Sequence, residues 1–305
     1  MNHTLNLASD IAANFAISAS LLTGYDMTTA YVEFEIDTYA GNEKTGTKTT
    51  KVTGVLNGSY YYFTFTGLNA TMMNDSIRAT FYGTKNGVAY KSNVDVYSVA
   101  TYAYSTLDNA GKPAGLKVLC ANLLRYGSNA QSFKAYRTDA LADSKMTDAH
   151  KIHLTDLETV AFDTINTTNN DIPNATVSIV GKSLSLDTKV TIKYILQLNG
   201  YAGNVEDLTL HVNYTDIKGV AKSAVLTNIE AYDLSMNRYA FQFDGLLATE
   251  LRQPVTVAVY SGSTRLSGTV QYSASTYGTG KQGDLKTLCQ ALMAYSDSAK
   301  AYFVG

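Results

Sequence analysis

The stretch "YYFTFTGLNAT" (residues 61–71) decides the fold, because it is written a second time as "YAFQFDGLLAT" (residues 239–249). Each copy has aromatic residues at alternate positions and then the ending Gly-Leu-x-Ala-Thr, which predicts a half-buried strand that runs into a turn. Repetition of a whole pattern along one chain is typical of an internal duplication. The sequence therefore predicts two copies of one module.

Further matches follow in the same order in both halves. They are "YSVATY" (97–102) with "YSASTY" (272–277), "LKVLCANLLRY" (116–126) with "LKTLCQALMAY" (285–295) and, more loosely, "LNLASDIAANF" (5–15) with "LSLDTKVTIKY" (184–194). We therefore predict module 1 at residues 1–137, module 2 at residues 174–305 and an ordered connector at residues 138–173. The connector has too many apolar residues for a free linker, and a short helix capped by Thr147 is expected in it.

Short alternating segments recur every 10 to 20 residues with turn signals between them. Examples are "AYVEFEIDTY" (30–39), "SIRATFYGTK" (76–85), "DLTLHVNYTD" (207–216) and "PVTVAVYSG" (254–262). This spacing is typical of an antiparallel sandwich and not of βαβ units. The predicted fold class is mainly β, a tandem duplication of an immunoglobulin-like β-sandwich module, each followed by a C-terminal α-helix.

Helical spacing marks the end of each module, with Pro113 and Asp284 near the predicted starts. The apolar positions are Leu116, Leu119, Cys120, Leu123, Ala130 and Phe133 in module 1, and Leu285, Leu288, Cys289, Leu292, Ala299 and Tyr302 in module 2. The two cysteines hold the same helical position, which favours buried free thiols over a disulfide.

Composition narrows the class of protein. Charged residues make up only 16% of 305 positions, Tyr occurs 23 times and Trp does not occur. That profile is typical of a β-rich extracellular domain, because β-branched and aromatic residues suit pleated surfaces. A net charge of −2 and a pI of about 6.1 indicate no nucleic-acid partner, and no apolar run reaches the length of a membrane span. The chain is expected to be a piece of a longer secreted or cell-surface protein.

Two motifs resemble binding sites, one for a dinucleotide and one for a metal, and both are explained better as ordinary structural features. Residues 278–283, "GTGKQG", have the glycine spacing of a dinucleotide-binding loop, yet the sequence supplies neither a second parallel strand nor an acidic residue at the expected distance. We therefore predict a strand-to-helix loop and no cofactor. His150 and His153 could share a metal on a helix, but without a third ligand nearby we expect surface histidines and no metal site.

Glu33, Glu35 and Asp37 alternate along one strand, so their side chains face the same way. An acidic patch or a weak calcium site fits this spacing, and a solvated face fits it better. No Ser-centred nucleophile motif or other catalytic constellation is found in the sequence. We predict that the protein is not an enzyme.

The candidate binding residues are Tyr60, Tyr62 and Thr64. Alternation along the strand sends the neighbouring set, Tyr61, Phe63 and Phe65, to the core. The outward positions of the second copy hold Arg238, Ala240 and Gln242. Tyrosines are therefore not required there by the fold of the module. The outward rings either pack beneath the helix or the connector, or form an exposed aromatic platform suited to a sugar face or a protein partner.

The segments "YSVATYAYSTL", "LKVLCANLLRYGSNAQ", "YRTDALAD" and "TYGTGKQGDLKTLCQALMAYSDSAKAYF" resemble repeated β-plus-helix modules of large secreted and cell-surface proteins from gut Clostridia. The resemblance covers nearly the whole chain. Such modules accompany dockerins, leucine-rich repeats, immunoglobulin-like modules or glycan-active domains. The resemblance implies a bacterial extracellular or cell-surface setting and a non-catalytic role, and it supplies no binding residues.

Together these observations favour a non-catalytic extracellular binding or adhesion region with a glycan ligand. The absence of Trp weighs against a glycan, since Trp is the strongest stacking ring. Two alternatives remain. One is a structural spacer or assembly module that positions neighbouring domains of a longer chain. The other is recognition of a host surface protein, such as an immunoglobulin, by an exposed edge strand.

Overall fold

The computed structural model describes residues 1–7, 11–186 and 189–305 and divides into two compact units, Met1–Thr155 and Asp156–Gly305. Residues 8–10 and 187–188, which belong to the loosely matched openings of the two modules, lie outside the described residues. The protein is mainly β, with 40% of its residues in strands and 25% in helices. The stretch predicted as a connector is shared, with residues 138–155 in unit 1 and the rest in unit 2.

Unit 1 begins with strands and ends with helices. The strands are β1 (Asn2–Asn6), β2 (Ala12–Ser18), β3 (Tyr31–Ala40), β4 (Glu43–Thr53), β5 (Val55–Asn57), β6 (Tyr60–Phe65), β7 (Ile77–Lys85), β8 (Val88–Lys91) and β9 (Asp95–Tyr97). The helices are α1 (Val99–Asp108), α2 (Ala114–Lys134) and the short α3 (Asp148–Lys151). Thr147 caps α3 as predicted.

Two antiparallel sheets form the body of unit 1. Their strand orders are β1-β2-β6-β5 and β4-β3-β7-β8, and β9 also pairs with β7. The inner faces meet in an aromatic core, where the ring centroid of Phe34 lies 5.1 Å from that of Phe15 and 5.3 Å from that of Phe65. Phe63 and Phe81 meet at 6.0 Å. The two sheets therefore pack face to face, each burying alternate side chains.

Residues 140–142 of the predicted connector are fastened to helix α2. The Gln131 side chain is fully buried, donates to the carbonyl of Ala140 at 3.1 Å and accepts from the amide of Ala142 at 2.7 Å. A Cβ atom at Gly127 would lie 3.1 Å from the Ala70 carbonyl oxygen and 3.2 Å from the Ala142 Cβ atom, so glycine lets these segments approach the helix closely. The end of unit 1 is therefore part of its packed structure.

Unit 2 has the same progression from strands to a helix. The strands are β10 (Asn166–Asn169), β11 (Val177–Leu186), β12 (Val190–Leu198), β13 (Leu208–Thr215), β14 (Ala221–Leu226), β15 (Ile229–Asp233), β16 (Arg238–Phe243), β17 (Val255–Ser261), β18 (Thr264–Arg265) and β19 (Thr269–Tyr272). Helix α4 covers Gly283–Phe303. The sheet orders are β11-β12-β16-β15 and β10-β19-β17-β13-β14, with β18 pairing with β17.

Helix α4 is tied to the loops of unit 2 by Arg252. Its guanidinium makes a paired contact with the Asp297 carboxylate on the helix, at 2.7 and 2.8 Å, and lies 3.3 Å from Asp163. Leu288 and Leu292 on the same helix are buried. Each unit therefore has the mainly antiparallel architecture with a late helix that the sequence predicts.

Three local features differ from what the sequence pattern indicates. Helix α1 occupies a stretch where no helix was predicted, and its first turn is capped by Ser98, whose oxygen accepts from the Thr101 amide at 3.0 Å. Phe133 and Tyr302, the last apolar positions of the two helical patterns, are 42% and 36% exposed, because burial along each helix stops before its last turn. Asp284 lies inside the first turn of α4 and does not cap it, although a carboxylate is favourable there too.

Candidate functional site

Strand β6 lies between β2 and β5 and presents two different surfaces. Phe63 and Phe65 are buried in the core, and Tyr61 is half-buried on the same face. The opposite face carries the half-buried side chains of Tyr60, Tyr62 and Thr64. The alternation in the sequence therefore separates the core set from the outward set at these positions.

Tyr60 and Tyr62 form a ring pair. Their centroids lie 6.4 Å apart and their planes are inclined at 56°. A spacing of about 7 Å is what two side chains on one face of an extended strand should have. Each ring is partly covered and partly accessible, so the pair is held in place and still offers apolar surface with a phenolic hydroxyl.

A row of polar side chains continues this face across three strands. The Thr64 hydroxyl donates to the Asn14 side-chain oxygen at 2.8 Å, and the Asn14 amide donates to the Thr4 hydroxyl at 3.3 Å. The pairing register places uncharged residues throughout this face, namely Asn2, Thr4, Asn14, Ala16, Ser18, Val55, Asn57, Tyr60, Tyr62 and Thr64. We call this surface the tyrosine face.

A groove of about 690 Å³ opens at the Tyr60 end of the tyrosine face. Its lining includes Asn2, Ser18, Leu21, Tyr25, Tyr60 and Asn93, together with Met1 and Asp95, whose ammonium and carboxylate groups pair at 2.6 Å. The volume lies within the range of small-molecule binding sites, and the mixture of apolar, hydroxyl and amide groups is also typical of such sites. Tyr60 therefore belongs both to the ring pair and to the edge of a cavity.

The corresponding strand of unit 2, β16, has no ring pair on its outward face. Arg238 donates to the side chain of Gln197 at 3.1 Å, and Gln242 donates to Glu230 at 2.7 Å. Ala240 is buried between them. Unit 2 therefore supplies a natural internal comparison for the tyrosine face.

A second tyrosine pair, which sequence reasoning missed, lies on the other sheet of unit 1. The rings of Tyr31 and Tyr82 stack at 5.2 Å with an interplanar angle of 17°. The ammonium groups of Lys51 and Lys91 lie 4.7 and 5.4 Å from these rings. The two residues are 51 positions apart in the sequence. Only the pairing of β3 with β7 brings them together.

The predicted acidic row on β3 is ion-paired. Arg78 contacts Glu35 at 3.3 Å and Asp37 at 2.6 Å, and Lys44 contacts Asp37 at 2.9 Å. Lys51 lies 3.9 Å from Glu33. The hydrogen bond from Arg78 is the main reason why the pKa of Asp37 lies well below its usual range. Across residues 1–7, 11–186 and 189–305, no cluster of three or more His, Cys, Asp or Glu side chains could hold a metal ion.

His150 corrects the prediction of two surface histidines. Its side chain is buried, its Nε2 atom lies 2.9 Å from the Asp108 carboxylate, and its Nδ1 atom accepts from the Thr147 amide at 3.4 Å. The capping interaction explains the burial, because the imidazole turns back onto the start of α3. His153 is less enclosed, although burial still lowers its pKa.

The loop at residues 278–283 joins a short 3-10 turn, Ser275–Gly278, to helix α4. The strand before it, β19, pairs antiparallel with β17 and with β10. A dinucleotide-binding loop follows a parallel strand, so the surroundings of this loop differ from that motif. Cys120 and Cys289 are both buried, as predicted, and neither is bridged.

No family model matches the chain, and no curated protein matches it. Among solved structures, a glycoside hydrolase family 64 laminaripentaose-producing β-1,3-glucanase from Paenibacillus barengoltzii, complexed with laminarihexaose, is similar at 7% identity and a TM-score of 0.22. The alignment covers 88% of this chain and 49% of the glucanase chain, so this chain spans about half of that structure. A likeness at this TM-score carries no argument. In the described ranges, no helix is long and apolar enough to cross a membrane.

Proposed function

We propose that the chain is a non-catalytic binding region of a bacterial surface or secreted protein, and that its ligand is a neutral glycan bound on the tyrosine face. The observation that supports this function is the tilted pair of Tyr60 and Tyr62 on an uncharged face that opens into a groove of about 690 Å³. The setting outside the cell rests on the resemblance to β-plus-helix surface modules and on the low content of charged residues.

The chemistry of the face matches a sugar chain. The apolar side of a pyranose ring packs on a tyrosine ring, and the hydroxyl groups around its rim need donors and acceptors. Asn2 and Thr4 are exposed beside the rings, and the Asn14 amide lies on the same face. Two rings 6.4 Å apart suit neighbouring parts of one extended ligand. The tyrosine face carries no charged side chain, and the Met1 and Asp95 charges in the groove pair with each other, so a neutral ligand is favoured.

We also propose that each unit is an immunoglobulin-like sandwich and that the two arose by duplication. If the strands of unit 1 are lettered in chain order, the sheets become A-B-E-D and C′-C-F-G, which is an immunoglobulin-like arrangement. The same lettering applied to β11 through β18 of unit 2 gives the same two strand orders. Two strands are additional: β19 pairs with strand F, which is β17, and β10 pairs with β19. This correspondence supports the repetition seen in the sequence.

A glycan array followed by calorimetry on the best neutral oligosaccharide tests the proposed function. Changing both Tyr60→Ala and Tyr62→Ala should weaken binding by ~1–3 kcal/mol, the usual contribution of aromatic contacts at a binding surface. The melting temperature should change little, because the core set on β6 remains. The matched control changes Arg238→Ala and Gln242→Ala on the equivalent strand of unit 2 and should leave binding unchanged.

Two results would contradict this function. One is an array on which the wild-type chain retains no neutral glycan, which favours a spacer or assembly module. The other is a double tyrosine variant that binds as tightly as the wild type at unchanged stability. In that case the ligand lies elsewhere on the molecule.

A second candidate function, recognition of a host surface protein, is favoured by strand β8. This strand lies at the end of its sheet order, and all four of its residues are exposed, including Val88 at 56% and Tyr90 at 46%. An unpaired edge with apolar side chains can accept a strand from a partner. A pull-down from host secretions with wild-type protein and a Val88→Pro variant tests it, since proline removes a donor from the edge.

A further inference from the structure

A second cavity, of about 550 Å³, lies in unit 2, and its charge differs from that of the tyrosine face. Its lining includes Lys182 on β11, Lys281 in the loop before α4, and the side chains of Asn166, Tyr272 and Tyr277. Among the described residues that line it, none is an Asp or a Glu. We call this cavity the lysine pocket.

Neither lysine of the lysine pocket has a carboxylate partner in the described part of the chain. The Lys182 ammonium donates to the Asn166 side-chain oxygen at 3.1 Å, and the Lys281 ammonium lies 4.4 Å from the centre of the Tyr277 ring. Asp163 is next in sequence to Thr164, another lining residue. Its carboxylate is paired with Arg252 at 3.3 Å and not with either lysine. Two cations therefore share a concave site whose protein partners are neutral.

The equivalent place in unit 1 contains a carboxylate, Asp95, which also pairs with the Met1 ammonium at 2.6 Å. His3 on the edge strand β1 stacks on Tyr97 at 4.2 Å, and its Nε2 atom lies 3.1 Å from the Asp95 carboxylate. Lys182 holds the matching position on the edge strand β11, because it pairs with Tyr194 as His3 pairs with Phe15.

Strands β9 and β19 hold corresponding places in the two units, and comparing them shows which residue of unit 2 replaces Asp95. Tyr97 pairs with Ile77 and Asp95 with Ala79 on β7, while Tyr272 pairs with Val255 and Val270 with Val257 on β17. Val270 therefore stands where unit 1 has Asp95. Among the described residues, a carboxylate lies beside the edge-strand side chain in unit 1, whereas a valine holds the matching position in unit 2.

Two further observations point the same way. Burial lowers the pKa of Lys182, so the charged ammonium is held in a site that does not solvate it fully. The side chain of Tyr272, which also lines the pocket, is buried, so this wall of the cavity belongs to the packed part of unit 2.

We propose that the lysine pocket binds the carboxylate of an acidic sugar. Lys182 and Lys281 supply the positive charge, and Asn166 with Thr164 supplies polar groups for the sugar hydroxyls. The volume fits a ligand of one or two sugar rings. The lysine pocket is separate from the tyrosine face. The proposal rests on the proposed function in one respect, namely that the carboxylate ligand is part of a carbohydrate.

A titration of the full chain with sodium glucuronate, followed by NMR at constant ionic strength, tests the proposal. The methyl ester of glucuronate is the matched uncharged probe and should bind at least about tenfold more weakly, since it lacks the charge-assisted contacts. Lys182→Met and Lys281→Met should each weaken glucuronate binding about tenfold, while Lys218→Met, at an exposed turn of unit 2, should have no effect.

The double change Tyr60→Ala and Tyr62→Ala separates this proposal from the proposed function, because it should leave glucuronate binding intact. Melting curves establish that each variant is folded. The proposal is overturned if the ester binds as well as the acid. It is equally overturned if both lysine variants bind like the wild type. The absence of any resonance shift at up to about 50 mM glucuronate would also overturn it, because a dissociation constant above that concentration indicates no specific site.

Discussion

At the residue scale, the pKa of Asp37 is set mainly by its ion pair with Arg78, which lowers it more than partial burial raises it. The Arg78 guanidinium donates to Asp37 at 2.6 Å, and Lys44 and Thr47 add contacts at 2.9 Å each. These donors favour the ionised carboxyl, and the cost of removing it from water is smaller, so its pKa lies well below the usual range.

This lowered pKa predicts a loss of stability in acid. Because the folded-state pKa lies below the unfolded value of about 3.9, the contribution is fully present above that value and is lost as pH falls through the folded pKa. Urea unfolding midpoints measured from pH 5 down to pH 2 should therefore fall. They should fall less steeply in Asp37→Asn. Asp139→Asn, at a 55% exposed carboxylate of unit 1, is the control and should keep the wild-type slope.

The cysteines give a second prediction at this scale. Burial raises the pKa of Cys120 to about 12 and that of Cys289 to about 11, so neither thiol should react in the folded protein at neutral pH. An alkylating reagent should modify two thiols after denaturation and almost none before it. A denatured, unreduced sample without free thiols would contradict the unbridged state.

At the scale of elements, the late helices should be essential to their units. Leu123 on α2 and Leu292 on α4 are fully buried, and truncating either to alanine should cost ~2–5 kcal/mol of unfolding free energy. Phe133→Ala on the exposed last turn of α2 is the control and should cost less than about 0.5 kcal/mol. A Leu292→Ala variant that melts within a degree of the wild type would show that α4 is peripheral.

The elements differ in how far the sequence predicts them. Strand β6 and helix α2 have strong periodicity over many residues, and both appear where that periodicity places them. Helix α1 was not predicted, and its counterpart in unit 2 is only a 3-10 turn, Ser275–Gly278, so the match between the two copies gave no sign of a helix. A side-chain cap at Ser98 was the local signal for that helix.

The candidate sites also differ in how far the sequence predicts them. The alternation along β6 predicts which tyrosines face outward, since that property depends on one strand alone. The Tyr31 and Tyr82 pair and the lysine pocket depend on which strands pair and in which register, and a single sequence does not reveal this. His150 was placed at the surface because its partner, Asp108, belongs to an element that was not predicted.

At the scale of the whole molecule, two units with matching sheet orders present different surfaces. Unit 1 has an uncharged ring pair at Tyr60 and Tyr62 and places the Asp95 carboxylate 3.1 Å from its edge histidine, His3. In unit 2 the matching strand β16 has no such pair, and the edge lysine, Lys182, faces a cavity whose described lining holds no acidic residue. Core positions are held by packing between sheets, whereas outward and edge positions are free to differ. Divergent surfaces on one architecture are expected from that asymmetry.

The extent of unit 1 gives the last prediction, which concerns a fragment of the chain. Residues 138–155 supply partners for buried groups of α2, because Thr155 bonds with Asn122 at 3.0 and 3.2 Å and residues 140–142 bond with Gln131. His150 adds the contact with Asp108. Removing these residues deletes the hydrogen bonds and uncovers the close-packed helix surface at Gly127.

A fragment of residues 1–155 should therefore unfold in one cooperative transition, while residues 1–137 should be far less stable or unfolded. Each lost bond to a buried amide contributes ~0.5–1.5 kcal/mol, and the loss of packing adds to it, in a domain whose total stability is about 5–15 kcal/mol. Gln131→Ala in the longer fragment should cost ~1–3 kcal/mol, since it leaves the Ala142 amide without its acceptor. Urea unfolding followed by circular dichroism measures all three. If residues 1–137 are as stable as 1–155, the segment after α2 is a linker and the unit ends at the helix.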